Sequence, residues 1–473
     1  MVTITAVALA LWVITTVLDY WTFAPPDSFQ SVLLLGYADT AKYIFTAIGQ
    51  SLAAVLGITM MVVLLVVQLA AARYSHSLIQ LYIEDRANTF VLSLFVVSIV
   101  YSFWVGNTVK DTFVPTLGLL VALVLATACF ASLIPYFRHV FGFLEPEVMV
   151  ARLENKAQEA MLAGADEKEA DKRILHRMGQ IGRIATTSVA QMETDVAVNA
   201  VLSLERLCRH HLEFRAGVVD SQVHPVEMEA LALLNRVYGL ALNRARDVTY
   251  AAAGSGRNIA EAALKLGRGE IPRASLMLLN TMLRAGINEK DSLSIYHLLH
   301  QYRLLAETLV SQCDDRVLEV LFYFKYYALT AQQAGVRFIV DTVAYDLNML
   351  CQKACECGSP VQEQVMESFL DMDSFLERHG QHAAVFPVQK MYGVLAGHFL
   401  AEGAESLARP FIDRLKAMPE KEMARLQEWL LTGTGEFFWE FTERKVNFDY
   451  LGERQRAMLR ERLDQATASD IIG

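Results

Sequence analysis

The chain has 473 residues, 53% of them hydrophobic, and a formal net charge of −10 at pH 7. That length accommodates two or three ordinary domains, and so large an apolar share is unusual for a wholly soluble protein. The negative balance excludes non-specific nucleic-acid binding, which needs a basic surface to neutralise phosphates, so no nucleic-acid partner is expected.

The charge is unevenly placed. Through Phe137 the charged residues are Asp19, Asp27, Asp39, Lys42, Arg73, Glu84, Asp85, Arg86, Lys110 and Asp111, whereas from Arg138 onward charge is dense. The predicted division is therefore a transmembrane domain over 1–137, amphipathic stalk helices over 138–216, and a helical domain over 217–473.

In chain order, the apolar segments are Val2–Phe23, Tyr43–Ala71, Thr89–Gly106 and Val114–Phe137. A hydrocarbon core of about 30 Å takes roughly 20 helical residues, so these read as four membrane spans with the lipid bilayer as first partner. The first has no basic leader and no small-residue cleavage site, and it ends on Tyr20 and Trp21. It reads as a retained anchor rather than a removed signal peptide. Pro25-Pro26 breaks the helix after it, and Asn107–Phe113 predicts a tight turn between the last two spans.

The inner connection, Arg73–Asn88, repeats Tyr74, Leu78, Leu81 and Tyr82 at helical spacing. With Arg73, His76, Asp85 and Arg86 it reads as an interfacial elbow helix, or else as a continuation of a neighbouring span. Arg73, Arg86 and His76 flank this connection, and Arg138 and His139 flank the exit from the last span. Each of the other two connections carries a single lysine, Lys42 or Lys110. The basic bias predicts a multi-pass protein of the inner (plasma) membrane with both termini cytoplasmic.

Asp19 is the one ionisable residue inside a predicted span. That scarcity argues against a coupled transporter, whose ion path uses intramembrane charge. Gln50, Ser51, Ala53, Gly57, Thr59 and Gln68 on the second span are candidates for a pore lining or a helix contact. Ala53 with Gly57, and Gly118 with Ala122, are small-residue pairs of the kind that let helices approach, and packing is their commoner use.

Beyond Arg138 apolar residues recur three and four apart with no strand alternation, so the class expected is all-α: a four-helix transmembrane bundle followed by a cytoplasmic helical array. Glu147–Lys172 is a charged stalk with a polar turn near Gly164, and Ile174–Arg215 is amphipathic. No fixed period emerges, so this is not a tetratricopeptide or armadillo array. In Gly358-Ser359-Pro360, glycine should end a helix, serine cap the next with Gln362 completing a capping box, and proline take its first turn. Met418-Pro419-Glu420 reads as another helix start.

Chemical signals are weak. The six cysteines do not follow a disulfide scaffold and read as reduced thiols. Cys351, Cys355 and Cys357 could ligate zinc, copper or an iron–sulfur cluster. Their helix, however, carries the apolar stripe Val343, Leu347, Leu350, Cys351, Ala354, and small core residues are the default. His297 and His300 lie one turn apart. His210 and His211 are adjacent and diverge, and no H-E-x-x-H is present. Gly254-Ser255-Gly256-Arg257 could hold an anion at a helix start, though a loop between helices is the plainer reading. No catalytic motif is found, so neither an enzyme nor a cofactor is expected.

Two stretches carry a family likeness. Tyr74-Ser75-His76-Ser77-Leu78-Ile79 through Glu84-Asp85-Arg86 into Phe90-Val91-Leu92-Ser93-Leu94-Phe95 is one, and Ser132-Leu133-Ile134-Pro135-Tyr136-Phe137-Arg138-His139 is the other. They resemble an uncharacterised family of bacterial predicted membrane proteins, a domain of unknown function. The resemblance implies an N-terminal membrane bundle joined to a large C-terminal domain and supplies no catalytic residues. Ser75-His76-Ser77 departs from the Ser-Pro-Arg expected there. Three functions remain open: a homo-oligomeric channel or scaffold, a sensor or adaptor for a cytosolic protein or small ligand, and a metal or redox enzyme using the cysteine cluster.

Overall fold

The computed structural model describes residues 2–21, 38–73, 85–110, 113–143, 145–162, 167–216, 223–336, 338–432, 444 and 447–469. No strand occurs among them; an isolated bridge joins Lys110 and Phe113. The chain divides into two compact units, Met1–Arg152 and Leu153–Gly473.

The first unit contains α1 (Val2–Trp21), α2 (Ala38–Arg73), α3 (Arg86–Thr108) and α4 (Thr116–Phe143), and α5 (Pro146–Leu162) begins within it. Helices α2, α3 and α4 are long and apolar enough to cross a membrane, while the apolar stretch described within α1, Ala6–Asp19, is shorter. Helix α2 has 36 residues, and α4 runs past Phe137 to Phe143. Pro135 lies inside α4 without ending it, as neighbouring helices permit in apolar surroundings. The predicted inner elbow, from Tyr74 to Glu84, lies outside the described residues, as do Pro25-Pro26 and Gly164.

Helix α3 is the centre of this unit, packing against α1, α2 and α4. Its Tyr101, Val105 and the following Val109 meet Ala41 and Phe45 of α2 and Leu119 and Ala122 of α4. Close approach depends on small residues. A Cβ on Gly118 would come within 2.8 Å of Val105, and one on Gly106 within 3.2 Å of Phe45. Large apolar side chains such as Ile58, Met61, Phe103, Val124 and Ile134 point outward and are exposed, the inverse of a soluble surface.

The second unit is a helical array. It continues with α6 (Glu167–Ala190), α7 (Thr194–Phe214), α8 (Pro225–Ala241), α9 (Arg246–Lys265), α10 (Glu270–Glu289), α11 (Ser292–Ser311), α12 (Val317–Gln333) and α13 (Ile339–Glu356). Then come α14 (Gln362–Leu370), α15 (Met372–Arg378), a short 3-10 turn, α16 (Val385–Ala401), α17 (Glu405–Lys416), α18 (Glu420–Thr432) and α19 (Glu453–Ser469). Contacts run between sequence neighbours and next-nearest neighbours. One row is α7, α9, α11, α13, α16, and a second is α6, α8, α10, α12. Each amphipathic helix thus buries its stripe against elements near it in sequence. The stripe Val343, Leu347, Leu350, Cys351, Ala354 is wholly buried, as expected.

Two local expectations are corrected. Gly254–Arg257 is no loop: it lies inside the continuous helix α9. Gly256 is there because the helix packs closely, its Cβ position 3.1 Å from Leu278. After α13, Gly358 does take a left-handed φ of 57°, and Ser359 N–H closes the turn on the Ala354 carbonyl at 3.0 Å. But Ser359 does not cap α14. Its hydroxyl donates to the Val310 carbonyl at 3.2 Å, and α14 starts only at Gln362.

A buried ion cluster ties α11 and α13 to a distant residue. Asp346 accepts a bidentate pair from Arg444, Nε to Oδ1 at 3.0 Å and Nη2 to Oδ2 at 2.7 Å, with both side chains at most 1% exposed. Arg303 Nε adds a third approach at 3.3 Å, and the Arg444 guanidinium lies over the Tyr296 ring. Removing one partner leaves uncompensated buried charge, so Asp346→Ala is expected to destabilise this unit by about 3–5 kcal/mol. A lowered melting temperature of the purified protein checks this, and replacing Asp346 and Arg444 together by apolar residues should cost less.

Candidate functional site

Side chains along α3 and α4 are bonded across the bundle in antiparallel register. Tyr136 hydroxyl donates to Asn88 Oδ1 at 2.8 Å, Ser98 Oγ lies 3.2 Å from Cys129 Sγ, and Tyr101 hydroxyl donates to the Gly118 carbonyl at 3.3 Å. Thr15 of α1 reaches Tyr101 at 3.0 Å. In these pairs, polar groups placed among apolar helices bond to one another.

Asp19 is the strongest of these joints. It is 6% exposed, and its oxygens accept from Leu117 N at 2.8 Å and Gly118 N at 2.9 Å, with Thr116 Oγ1 at 3.5 Å. A carboxylate at the end of α1 thereby caps the N-terminus of α4, where unpaired N–H groups and the helix dipole favour an anion. The carboxylate of Asp19 is held as a cap, which accounts for it without an ion path.

At the opposite end of α3, Asp85 caps that helix in sequence. Its Oδ1 accepts from Ala87 N at 2.9 Å and Asn88 N at 3.3 Å, and it meets His139 Nε2 at 3.0 Å. Oδ2 accepts from Arg152 Nη1 at 3.2 Å. Burial pushes the Asp85 carboxyl up, but the His139 hydrogen bond and the two backbone N–H groups outweigh it, so the group sits below the ordinary carboxylate value. Of the other residues read as the elbow, Arg86 is exposed at the first position of α3 and Arg73 is the last residue of α2; His76 lies outside the described residues.

The second-span candidates divide by face. Thr59 is buried against the bundle. Gln50, Ser51, Ala53, Gly57 and Gln68 are exposed, and a Cβ on Gly57 would meet nothing within 4 Å. The small pair Ala53–Gly57 is thus unused within the chain, whereas Gly118 is used.

In the second unit the cysteines do not converge. Cys351 is fully buried with its Sγ 3.9 Å from the Val365 carbonyl, Cys357 is exposed with Ser311 Oγ 3.8 Å away, and Cys355 is half-buried. Burial holds Cys351 well above the usual thiol range and Cys355 up at about 11. His297 stacks on Tyr250 with ring centroids 3.8 Å apart, and His300 meets Arg303. Neither set is assembled for a metal. The group that is assembled among the described residues is Asp171, His211 and His224, with one ligand atom from each lying within 4.8 Å of the others. Sequence reading missed it because its members sit on three helices. The signal available was His224-Pro225-x-Glu227, a capping box with histidine at the cap.

An outward-apolar helical bundle followed by an all-α array defines a membrane protein with a large helical domain. Residues 1–196 match the family model described as "Predicted membrane protein (DUF2254)", so the expected resemblance holds over that stretch. No curated protein matches the chain. Among solved structures it is similar to a "Circular tandem repeat protein with novel repeat topology and enhanced subunit contact surfaces", with 14% identity over 83% of this chain and 97% of that one. The TM-score is 0.40, too slight a likeness to bear on architecture or assembly.

Two outcomes follow from the caps. Asp19→Ala should lower bundle stability by about 2–4 kcal/mol, because two charge-assisted bonds to α4 are lost, and Asp19→Asn, keeping one acceptor, by less. Thermal unfolding in mild detergent measures both. Because the folded-state pKa of Asp85 is depressed, its contribution is fully present above the unfolded value of about 3.9. It fades as pH falls through the lower folded value. An acid titration of stability should therefore flatten in Asp85→Asn.

Proposed function

We propose that the protein is a non-enzymatic, homo-oligomeric assembly of the bacterial inner membrane, a channel or scaffold, in which α2 of each copy forms the seam. The chain would cross the membrane four times, α1 included, with both termini and the helical array in the cytoplasm. The bias of Arg73, Arg86, Arg138 and His139 toward one side supports that orientation.

The observation that carries the reading is the outward face of α2. Gln50, Ala53, Gly57 and Gln68 recur there at helical spacing, exposed between apolar side chains such as Met61 and Leu65. A primary amide facing hydrocarbon without a partner is costly, and an identical helix supplies one. The small pair Ala53–Gly57 lets two such helices approach closely enough for the amides to meet. Amide bonds between membrane helices contribute modestly, about 0.6–2 kcal/mol each. Close packing over several turns must therefore supply the rest. Four spans enclose little space alone, so a conducting path would need several copies around a common axis.

Mass measurement of the protein in nanodiscs tests this. The wild type should form a defined oligomer, and Gly57→Leu should shift it to the monomer without lowering the melting temperature of the protomer, since that position touches nothing within it. Gln50→Leu should weaken the assembly less. A wild type that is strictly monomeric would overturn the proposal, as would an oligomer indifferent to Gly57→Leu.

A further inference from the structure

We propose that His211, His224 and Asp171 form a binding site for a divalent first-row metal of the zinc class, fastening the ends of α6, α7 and α8. Asp171 lies in the second turn of α6, His211 in the last turn of α7, and His224 at the cap of α8. Their ligand atoms fall within 4.8 Å of one another, and His224 Nε2 is 3.3 Å from Asp171 Oδ2. A charge-assisted hydrogen bond would draw such a pair to about 2.7–2.9 Å. Ligand bonds of roughly 2.0–2.2 Å around one tetrahedral ion instead hold neighbouring donors about 3.3–3.5 Å apart.

The second observation is the unmet polar demand behind the site. His211 Nδ1 and Glu227 Oε1 are buried, face each other at 3.3 Å, and neither makes a hydrogen bond. Glu227 is wholly buried at the third position of α8, held by its other oxygen, which accepts from His224 N at 3.1 Å. A carboxylate standing behind a histidine is the arrangement that fixes the tautomer and orientation of a ligating imidazole. Bound metal on the far nitrogen of His211 puts the proton on Nδ1, where Glu227 takes it up as a hydrogen bond. The two imidazoles lie with ring centroids 4.7 Å apart and are nearly inaccessible, while Asp171 is partly exposed and marks the side of entry. Nitrogen and carboxylate donors without thiolate suit zinc, cobalt, manganese or ferrous iron rather than copper(I). Metallation at His224 Nε2 gives up the long 3.4 Å bond that Nδ1 accepts from Val226 N, a weak cap contact. The neighbouring guanidinium of Arg268 stands 3.9 Å from Glu227 Oε1. Three protein ligands leave a coordination position for water.

Chelator-treated full-length protein in detergent, titrated with Co²⁺, tests the site. We expect one equivalent bound per chain, a visible d–d absorption that Zn²⁺ abolishes, and a raised melting temperature. Asp171→Asn, at the partly exposed position, should weaken binding at least about tenfold, and His224→Ala should remove the absorption. Replacing Cys351, Cys355 and Cys357 together by serine should leave stoichiometry and spectrum unchanged. Absence of a cobalt spectrum in the wild type, a spectrum untouched by Asp171→Asn, or one lost with the cysteines would each overturn the assignment. Oligomeric state does not enter these readouts, so they stand apart from the α2 seam.

Discussion

Hydrocarbon offers no hydrogen bonds, so a polar group placed in it must find its partner inside the protein. The N-terminal unit is arranged around that constraint. Asp19 of α1 closes the open N-terminus of α4, Tyr101 joins α1 and α4 through α3, and Asp85 closes α3 while gathering His139 and Arg152. The caps stand at the two ends of the bundle and the bonds between them lie on the α3–α4 seam. Helix positions are therefore specified by directional bonds, where apolar contact alone would let one helix slide along another.

The same constraint gives meaning to what is left over. Thr59 turns inward and is buried, but Gln50, Gly57 and Gln68 on the same helix turn outward. Inside a water-soluble protein, exposed glutamines would need no comment. On the outer face of a membrane helix they are an unmet demand, which the proposed second copy would meet symmetrically.

The helical array obeys a different rule. In water, burial of apolar stripes is the dominant favourable term, and polar groups go inside only in compensated sets. Asp346 with Arg444 and Arg303 is such a set. The cluster of His211, Glu227, His224 and Asp171 is close to one, but its groups stop at 3.3 Å from each other. The facing buried atoms His211 Nδ1 and Glu227 Oε1 lack hydrogen bonds, whereas Arg444 bonds both oxygens of Asp346.

Much of this was legible in the sequence. Hydropathy and the scarcity of charge before Phe137 determined where the membrane helices lie, because about 20 apolar residues per span is a one-dimensional requirement. Three-and-four spacing determined that the rest is helical, and the buried stripe through Cys351 followed from the same periodicity. What the tertiary structure decided was pairing. Asp19 reads as an isolated charge until α4 arrives at it from 98 positions away. Ala53–Gly57 and Gly118–Ala122 are the same pattern in sequence, yet one faces outward and the other meets Val105. Gly254–Arg257 has the composition of a loop, but a neighbouring helix needs close approach there and overrides local preference. Adjacent histidines and spaced cysteines drew attention by proximity along the chain, whereas His211, His224 and Asp171 meet only because three helix ends do. A contact between helices depends on rotation and register, and neither is written in the spacing of residues along one strand of chain.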